Sequence, residues 1–502
     1  MKKSPLGLFF LKQKCYNLYT VGQETDIPGK SVFSPRIIII TMLSKKRIKE
    51  MKIVIIGDGK VGHKLTSQLS EEGYDITLID QNAGKLQDAL NQLDIFCIPG
   101  NGVDIEVQRQ ADVPHADLVI ACASTDELNM LSCLIAKRLG AKHTIARVRN
   151  PLYYRQIGIL KEDLHLSMAV NPELAAANEA ARVLLFPETS KVETFMKGRV
   201  ELVEYKLTED SFITGMTLAD FYRKYQIKIL VCAVKRRDEV YIPDGSFVLQ
   251  PGDKMHIAAG HQDLESFFKS LGKKNRKVKK VLICGGGHMC YYLAAQLMQA
   301  GIQVRIIEKK EERCEELCEL LPRATVIHGD ATDQELLIEE GLEECNALVA
   351  LTGMDEENII LSLFAKTRGV PKIIAKVNED SRAQMVEDMG IDSIISAKSA
   401  TADEIMSYVI ARNNSYASAN VEAMYQLLNG RVKAMEFIIK KECEITGVAL
   451  KDLPTKKNYL IACIGRKRKI IIPNGSDHLE VGDSVVVVTT NQMINQFSDI
   501  LA

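Results

Sequence analysis

Glycines with the spacing of a phosphate-binding turn follow a short apolar run, "KIVII" at residues 52–56. Gly57 permits a tight turn, Gly59 leaves room for a diphosphate against the backbone, and Gly62 lets a helix pack closely on a strand. The N–H groups at the start of that helix would face the phosphates. Asp80 ends the next apolar run, "DITLID", where a carboxylate accepts hydrogen bonds from ribose hydroxyls and repels a 2′-phosphate. The pattern therefore predicts a site for NAD, or another nucleotide with a free 2′-hydroxyl, rather than for NADP.

A second copy of this pattern begins at residue 280, in "KVLICGGGHMCYYL". Gly285 and Gly287 match the first two glycines, and Glu308 matches the carboxylate. Cys290 replaces the third glycine, and the imidazole of His288 in the turn can donate to a phosphate. We expect nucleotide binding here as well, with altered affinity or a different nucleotide. For both copies the alternative is a nucleotide-free Rossmann-like fold whose glycines serve packing alone.

The chain after residue 50 is a tandem repeat. Gly57 aligns with Gly285 at a separation of 228 residues, and "GNGVD" at 100–104 aligns with "GDATD" at 329–333 at a separation of 229. Farther along, "YIPDG" at 241–245 aligns with "IIPNG" at 471–475 at a separation of 230. A separation that drifts so little indicates duplication of one two-part unit.

We expect an α/β fold in the longer part of each unit. Short β-rich runs alternate there with segments of helical periodicity, which predicts a Rossmann-like, doubly wound parallel sheet with helices on both faces. The shorter part has alternating strands around "IPDG" and "PGD" turns and a helix near 218–226, which is typical of a small α+β domain. The predicted boundaries are 1–50 for an N-terminal extension, 51–190 and 191–272 for the first unit, 273–277 for a linker, and 278–420 and 421–502 for the second unit.

Composition limits the class of protein. With 502 residues, 46% hydrophobic and 26% charged, the chain is typical of a multidomain globular protein, and its net charge of −1 gives no support for nucleic-acid binding. We expect no membrane span, because no uninterrupted apolar run approaches about 20 residues. Twelve scattered cysteines without a CxxC pair favour reduced thiols and the cytosol. Residues 1–50 carry ten Lys or Arg against three Asp or Glu, and we expect a disordered or spurious extension with Met51 as the true start.

Little in the chain suggests catalysis. Hydride transfer needs a proton donor or acceptor beside the substrate carbonyl, yet there is no Tyr-x-x-x-Lys pair and the nine histidines do not cluster. Acidic groups at 126–127 and 355–357 begin helices, where the helix dipole explains them. We therefore expect a sensor. An NAD-dependent oxidoreductase with duplicated Rossmann domains, and a soluble thiol or ligand sensor, remain the alternatives.

The ordered set of motifs resembles one family. "GDGKVG", the terminal Asp80, "GNGVD", "ASTDELN" and "ARV", then a small domain with "IPDG" and "PGD", and all of it again, is similar to the TrkA family of cytosolic NAD-binding regulators of bacterial potassium uptake. Each unit resembles an RCK unit, a KTN nucleotide-binding domain followed by a TrkA-C domain. The resemblance implies a membrane pore partner of the TrkH or TrkG type, a ring of eight units and hence a homotetramer, and a peripheral place on the cytoplasmic face of the inner membrane. It also implies that NAD(H), with ATP or ADP allowed in one of the two sites, changes the shape of the ring.

The resemblance also assigns site residues. In the first unit these are Gly57, Asp58, Gly59, Lys60, Val61 and Gly62 for the phosphates, Asp80 for ribose, Asn101 and Gly102 beside adenosine, Ala123 and Ser124 at a strand end, and Arg147 toward phosphate. In the second unit they are Gly285, Gly286, Gly287, His288, Met289, Glu308, Asp330, Ala331, Thr352, Gly353 and Lys376. "GNGVD" departs from the usual GDAT form, so Asn101 must substitute for an aspartate. We expect the two sites to differ in nucleotide preference.

Overall fold

The computed structural model describes most of the chain after residue 50. The described residues are 51–196, 199–209, 211–271, 277–391, 393–417, 421–428, 431–442, 445–467, 469–491 and 497–501. The predicted extension at 1–50 and all but the last residue of the predicted linker at 273–277 lie outside them.

The first unit opens with a six-stranded parallel sheet in the order β3-β2-β1-β4-β5-β6. Its strands are β1 (Lys52–Ile56), β2 (Asp75–Asp80), β3 (Phe96–Pro99), β4 (Leu118–Ala121), β5 (His143–Arg147) and β6 (Met168–Val170). Its helices are α1 (Lys60–Glu71), α2 (Ala83–Gln92), α3 (Ile105–Gln110), α4 (Asp126–Leu139), α5 (Pro151–Arg155), α6 (Ile157–Asp163) and α7 (Pro172–Leu185). Strand β1 is buried along four of its five residues, as expected for a strand covered on both faces.

A five-stranded antiparallel sheet follows, in the order β10-β9-β11-β8-β7. It comprises β7 (Lys191–Phe195), β8 (Val200–Lys206), β9 (Leu230–Arg236), β10 (Glu239–Tyr241) and β11 (Lys254–Ala259), with helices α8 (Leu218–Tyr225) and α9 (His261–Ser270). The "PGD" turn is structural, because the fully buried Asp253 accepts two 2.8 Å hydrogen bonds from the guanidinium of Arg236. Arg466 and Asp483 repeat this pair in the second unit, at 2.9 and 2.8 Å.

The second unit repeats both sheets, which confirms the predicted α/β class and the duplication. Its parallel sheet, ordered β14-β13-β12-β15-β16-β17, comprises β12 (Lys280–Cys284), β13 (Gln303–Glu308), β14 (Thr325–His328), β15 (Ala347–Ala350), β16 (Lys372–Lys376) and β17 (Ser393–Ile395). The helices are α10 (His288–Gln299), α11 (Glu311–Leu320), α12 (Gln334–Glu339), α13 (Asp355–Thr367), α14 (Asp380–Asp388) and α15 (Ala397–Ala417). The antiparallel sheet, ordered β18-β19-β22-β20-β21, comprises β18 (Val421–Leu427), β19 (Val432–Ile438), β20 (Tyr459–Arg466), β21 (Lys469–Ile471) and β22 (Ser484–Thr489).

Helix α8 of the first unit has no full counterpart among the described residues of the second unit. Where the first unit has α8, the second has only a single 3₁₀ turn, Leu450–Asp452. Pro454 follows that turn closely, and a proline disfavours helical geometry in the residue before it. The two small domains therefore share a sheet but not all of their helices.

The helices α7 and α15 leave the parallel sheets and pack on the other unit. Ala176, Ala177 and Ala180 of α7 share a buried apolar cluster with Leu293 and Leu297 of α10. In the same way Ile405, Met406 and Val409 of α15 share a cluster with Leu65 and Leu69 of α1. Each crossover helix thus covers the helix that begins at the glycine turn of the opposite unit.

Polar bonds add to the contact between α7 and α10. The Nδ2 of Asn171 donates to the hydroxyl of Tyr292 at 2.9 Å, and the Nε2 of Gln296 donates to the Oδ1 of Asn178 at 2.8 Å. The two antiparallel sheets also meet, and the backbone N–H of Met196 donates to the carboxylate of Glu436 at 3.0 Å.

No helix among the described residues combines the length and the apolar character that crossing a membrane requires.

Candidate functional site

The first glycine turn is shaped by close backbone approach. Gly57 has φ of +101°, and a Cβ there would lie 2.8 Å from the Cα of Ala123, so no other residue fits without a shift. A Cβ at Gly62 would overlap the carbonyl oxygen of Gly57. Gly59 differs, because the nearest atom to its Cβ would be the carbonyl oxygen of Cys122 at 3.9 Å. The space beside Gly59 is therefore open, as the approach of a diphosphate requires.

The two carboxylates predicted to bind ribose are held by the backbone in the same way. Asp80 accepts hydrogen bonds from the N–H groups of Asp58 at 2.6 Å and Asn82 at 2.8 Å. Glu308 accepts from the N–H groups of Gly286 at 2.6 Å and Lys310 at 2.9 Å. These bonds fix each carboxylate at the end of its strand, next to the glycine turn. The N–H groups of Asp58 and Gly286 are thereby committed to the carboxylates and not to phosphate.

The "GNGVD" and "GDATD" segments form turns that differ in charge. The Oδ1 of Asn101 accepts from the N–H of Val103 at 3.2 Å, and Gly102 is packed tightly on Ile56. Asp330 accepts from the Nζ of Lys309 at 2.6 Å and twice from Thr332, at 3.0 and 2.7 Å. These bonds, led by the one from Lys309, lower the pKa of Asp330 to about 2. Ala331, which follows Asp330, is buried.

Arg147 lies at the end of β5 and reaches back to β4. One terminal nitrogen donates to the carbonyl of Ala123 at 2.6 Å and lies 3.4 Å from that of Ser124. Its Nε is buried and has no hydrogen-bond partner among the described residues. A buried cationic donor without a partner is costly, and an anionic ligand beside it would satisfy that donor.

The second unit places Lys376 at the position of Arg147. Its Nζ donates to the carbonyl of Leu351 at 3.2 Å, beside Thr352 and Gly353. Burial lowers the pKa of Lys376, and the nearby charges of Lys60 and Arg149 lower it further. Both of those cations belong to the first unit, so positive charge from the two units accumulates in one place.

The residues predicted for the second site surround one large cleft of about 900 Å³. From the second unit it is lined by residues 285–290, 307–310, Arg313, Glu316, 329–332, 351–353, Glu357, Lys376, Asn378, Ala397 and Lys398. From the first unit it is lined by Lys60, Val61, Arg147, Arg149, Pro172 and Glu173. The cleft thus brings three predicted residues of the first site together with the whole predicted second site, including His288, Met289 and Gly286. The other predicted residues, Gly57, Asp58, Gly59, Gly62, Asp80, Asn101, Gly102, Ala123 and Ser124, are not among those that line this cleft.

The cleft is rich in cations, but its histidine is not one of them at neutral pH. Burial lowers the pKa of His288, and Arg313 and Arg149 lower it further. A neutral imidazole can still donate one hydrogen bond to a phosphate oxygen. Arg149 is paired with Glu173, whose carboxylate lies 2.7 Å from its Nε. The cleft therefore suits an anion through Arg147, Lys376 and the helix start at Gly287.

Sequence reasoning missed four buried residues that hold both sites in place. Asp126 accepts from the N–H groups at 149 and 150, at 2.9 and 2.8 Å, so it does more than stabilise a helix start. Asn129 accepts from the N–H of Ala123 at 2.6 Å and donates to the carbonyl of Arg147 at 3.0 Å. Asp355 and Asn358 make the matching bonds in the second unit. Asp126 and Asp355 are 229 residues apart, and so are Asn129 and Asn358. This repeat was the signal in the sequence that could have revealed their shared role.

The described residues contain no group of three or more His, Cys, Asp or Glu side chains that could hold a metal ion. The cysteines are mostly buried; the thiols of Cys122 and Cys97 both have their pKa raised to about 11, mainly by burial. Thiols with so high a pKa are poor nucleophiles and poor metal ligands at neutral pH. The site therefore consists of backbone turns, carboxylates and cations.

Comparisons with known proteins match this architecture. The sequence profile of the TrkA-N domain matches residues 53–172 and 281–397, and that of the TrkA-C domain matches 202–272 and 434–502. The chain is 32% identical over 450 residues to a Trk system potassium uptake protein TrkA homolog of Archaeoglobus fulgidus, which covers 90% of this chain and 100% of that protein. It is 32% identical over 444 residues to the Trk system potassium uptake protein TrkA of Halomonas elongata, covering 87% of this chain and 95% of that protein.

Solved structures show the same fold at lower sequence identity. The RCK domain of GsuK superposes with a TM-score of 0.58 at 17% identity and covers 88% of this chain and 93% of that chain. The GsuK channel bound to NAD superposes with a TM-score of 0.58 at 16% identity, covering 99% of this chain and 84% of that chain. With both TrkA domains present twice and homology along most of its length, the chain belongs to the TrkA family.

Proposed function

We propose that the chain is the nucleotide-sensing regulatory subunit of a potassium uptake system and that it gates a membrane pore subunit of the TrkH or TrkG type. The cleft shared by the two units is the observation that carries the proposal. It joins the glycine turn of the second unit to Lys60, Val61 and Arg147 of the first unit, so a bound anion touches both units at once. The relatives' name, Trk system potassium uptake protein, supports the identity of the transported ion.

NAD(H) is the proposed ligand, with ATP or ADP as a second ligand of one site. The fit is supported by the open space beside Gly59 and Gly287, where added side chains would meet no nearby atom, and by the unpartnered Nε of Arg147. The proposed contacts are the residues named from the sequence: the two glycine turns for phosphate, Asp80 and Glu308 for ribose, and Arg147 and Lys376 for phosphate charge. A bound nucleotide supplies anionic charge that draws the two units together.

Gating requires that two conformations of the ring bind nucleotide with different affinity. A difference of about 1.4 kcal/mol shifts their ratio tenfold. We propose a homotetramer, which presents eight RCK units, peripheral to the cytoplasmic face of the inner membrane. The proposed domain boundaries are those read from the sequence, 51–190, 191–272, 278–420 and 421–502.

The proposed role includes no covalent chemistry. Incubating the purified chain with NADH and a panel of carbonyl compounds, while following absorbance at the nicotinamide band, tests this directly. Steady loss of NADH that depends on a carbonyl compound would favour the oxidoreductase alternative.

Reconstitution tests the gating role. The purified chain and its pore subunit are placed in liposomes, and potassium or rubidium uptake is measured with NADH, NAD⁺, ATP, ADP or no nucleotide. We expect uptake to differ between nucleotides and Lys376→Ala to reduce that difference. Lys441→Ala removes an exposed lysine outside the cleft and serves as the matched control. Uptake that is the same in all five conditions would rule out nucleotide gating.

A further inference from the structure

The two glycine turns differ at their second residue, and a neighbour on the following helix differs with it. The first unit has Asp58 and His63, and the second has Gly286 and Tyr291 at the matching positions. The Asp58 side chain is 3% exposed, and its Oδ1 lies 3.2 Å from the Nδ1 of His63. A buried carboxylate paired with an imidazole is thus built into one site and is absent from the other.

Asp58 faces charged or titratable groups on every element around it. His63 lies on α1, Asp80 on β2, Lys85 on α2 and Cys97 on β3. Burial raises the pKa of Asp58, and Asp80 raises it further, while His63 and Lys85 oppose the rise. The charge of Asp58 also contributes to the raised pKa of Cys97. Asp58 therefore lies at the ends of β1, β2 and β3, in the glycine turn that the sequence assigns to the phosphates.

The second unit has no room for an aspartate at this position. A Cβ at Gly286 would lie 2.6 Å from the Cδ1 of Leu317 and 3.0 Å from a carboxylate oxygen of Glu308. Cationic residues lie near this turn or follow it in the chain. The Nε of Arg313 donates to the carbonyl of Gly286 at 2.7 Å, and Lys309 and Lys310 follow Glu308 directly.

The two sites consequently differ in local charge. In the first unit two carboxylates, Asp58 and Asp80, lie near Lys85, whose Nζ is 3.5 Å from the carbonyl of Asp58. The residues after Asp80 are the neutral Gln81 and Asn82, which replace the two lysines of the second unit. Asp58 therefore places a negative charge in the turn of the first site at a position where the second site has none.

We propose that Asp58 is a specificity-determining residue that biases the first site toward dinucleotides and against nucleoside triphosphates, which the second site accepts. The inference rests on the proposed nucleotide-sensing function. A dinucleotide brings a diphosphate with about two negative charges, whereas a triphosphate brings about four. The two further negative charges of the triphosphate, at about 8 Å or more from Asp58 in a partly solvated site, weaken binding by about fivefold to tenfold.

The test uses the full chain with the second site blocked by Gly287→Ala. A Cβ at Gly287 meets no protein atom within 4 Å, so the variant should fold, and the added methyl group occupies the space that the phosphates need. Affinities for NAD⁺ and ATP are measured by isothermal titration with and without Asp58→Asn, an isosteric change that removes the charge. We expect Asp58→Asn to tighten the binding of ATP about fivefold to tenfold more than it tightens the binding of NAD⁺. Asp88→Asn, which removes an exposed carboxylate on α2, should change neither affinity.

Equal changes in the affinities for NAD⁺ and ATP, or no change in either, would overturn the inference. A merely structural role for Asp58 would not alter the ratio of the two affinities. A pH series gives a second measurement that needs no stable variant background. Because burial raises the pKa of Asp58 above its usual range, Asp58 gains its proton at a higher pH than an exposed aspartate, so the preference for NAD⁺ over ATP should narrow as the pH falls. A preference that is independent of pH in the wild-type chain would also count against the inference. If the wild-type chain binds neither ligand, the proposed function itself fails.

Discussion

Two alanine substitutions in the first glycine turn should separate nucleotide binding from folding. Gly59 and Gly62 lie three residues apart, yet the space around them differs. A Cβ at Gly59 would have only one neighbour, at 3.9 Å, whereas a Cβ at Gly62 would overlap the carbonyl oxygen of Gly57. We therefore expect Gly59→Ala to fold normally and lose nucleotide, and Gly62→Ala to lose stability.

The folding free energies follow from the backbone. Gly59 caps α1 with φ of −82° and ψ of −175°, a conformation that alanine adopts freely. Alanine is a poorer cap than glycine by about 0.5–1 kcal/mol, but it reduces the conformational entropy of the unfolded chain, which stabilises the fold by about 0.4–1 kcal/mol, so the two effects nearly cancel. At Gly62 the overlap must be relieved by moving α1 away from β1, and overpacking of this kind costs about 1–3 kcal/mol.

The binding free energy follows from the contacts that an added methyl group would displace. A methyl at Gly59 occupies the space that the diphosphate needs, so at least one charge-assisted hydrogen bond from the helix start is lost. Such a bond contributes about 1.5–3 kcal/mol, which corresponds to a roughly 10- to 100-fold weaker affinity for NAD⁺. Isothermal titration measures the affinity and differential scanning calorimetry the stability. Gly158→Ala, at a remote position where a Cβ meets no atom within 4 Å, is the matched control.

Two results would refute this reasoning. Wild-type affinity for NAD⁺ in Gly59→Ala would show that the diphosphate does not approach this turn. Wild-type unfolding temperature in Gly62→Ala would show that α1 does not depend on close contact with Gly57. A loss of both binding and stability in both variants would mean that the turn cannot be divided into a packing glycine and a ligand glycine.

Three further substitutions test the small domain, the cleft and a buried carboxyl. Asp253→Asn breaks the paired hydrogen bonds to Arg236, so it should destabilise the chain by about 2–4 kcal/mol in denaturant unfolding and leave the affinity for NAD⁺ unchanged. An unchanged midpoint of denaturant unfolding would contradict this. Lys376→Ala should weaken ATP binding about tenfold and reduce its dependence on salt, and a salt dependence equal to that of the wild-type chain would argue against phosphate contact. Burial raises the pKa of Glu179 to about 7, so its ionisation lowers stability as pH rises from about 4.5 to 7. Glu179→Gln should therefore raise the unfolding free energy by about 1–2 kcal/mol at pH 8 and hardly at pH 5, and an equal gain at both pH values would disprove the assignment.

The fold was predictable because its signals are local and repeated. The apolar run at 52–56, the glycines after it and Asp80 each specify one step of a βαβ unit, and the structure has that order of elements. The second copy confirmed the assignment by repeating it with nearly the same separation. Covered parallel strands read as continuous apolar runs, so β1 and β12 could be recognised from the residues alone.

The shared cleft was not predictable, because it depends on how two similar units pack. Arg149 and Glu173 carry no motif, and they become part of the cleft only because α7 lies against α10. The roles of Asn129 and Asp126 were missed for a different reason. Their bonds go to backbone groups at the end of the next strand and just after it, and no pattern within the helix itself reveals such partners.

The duplication becomes understandable from the crossover helices. Helix α7 leads from the first parallel sheet into β7 of the first small domain, yet it packs on α10, which begins at the glycine turn of the second unit. Helix α15 does the reverse, since it leads into β18 and packs on α1. A shift of either turn on binding nucleotide would therefore move the helix that enters the opposite small domain. Separate units would let each small domain respond only to its own nucleotide, whereas this exchange gives the two sites a route for coupling. Any such coupling is reciprocal, so each nucleotide would change the affinity for the other by the same factor.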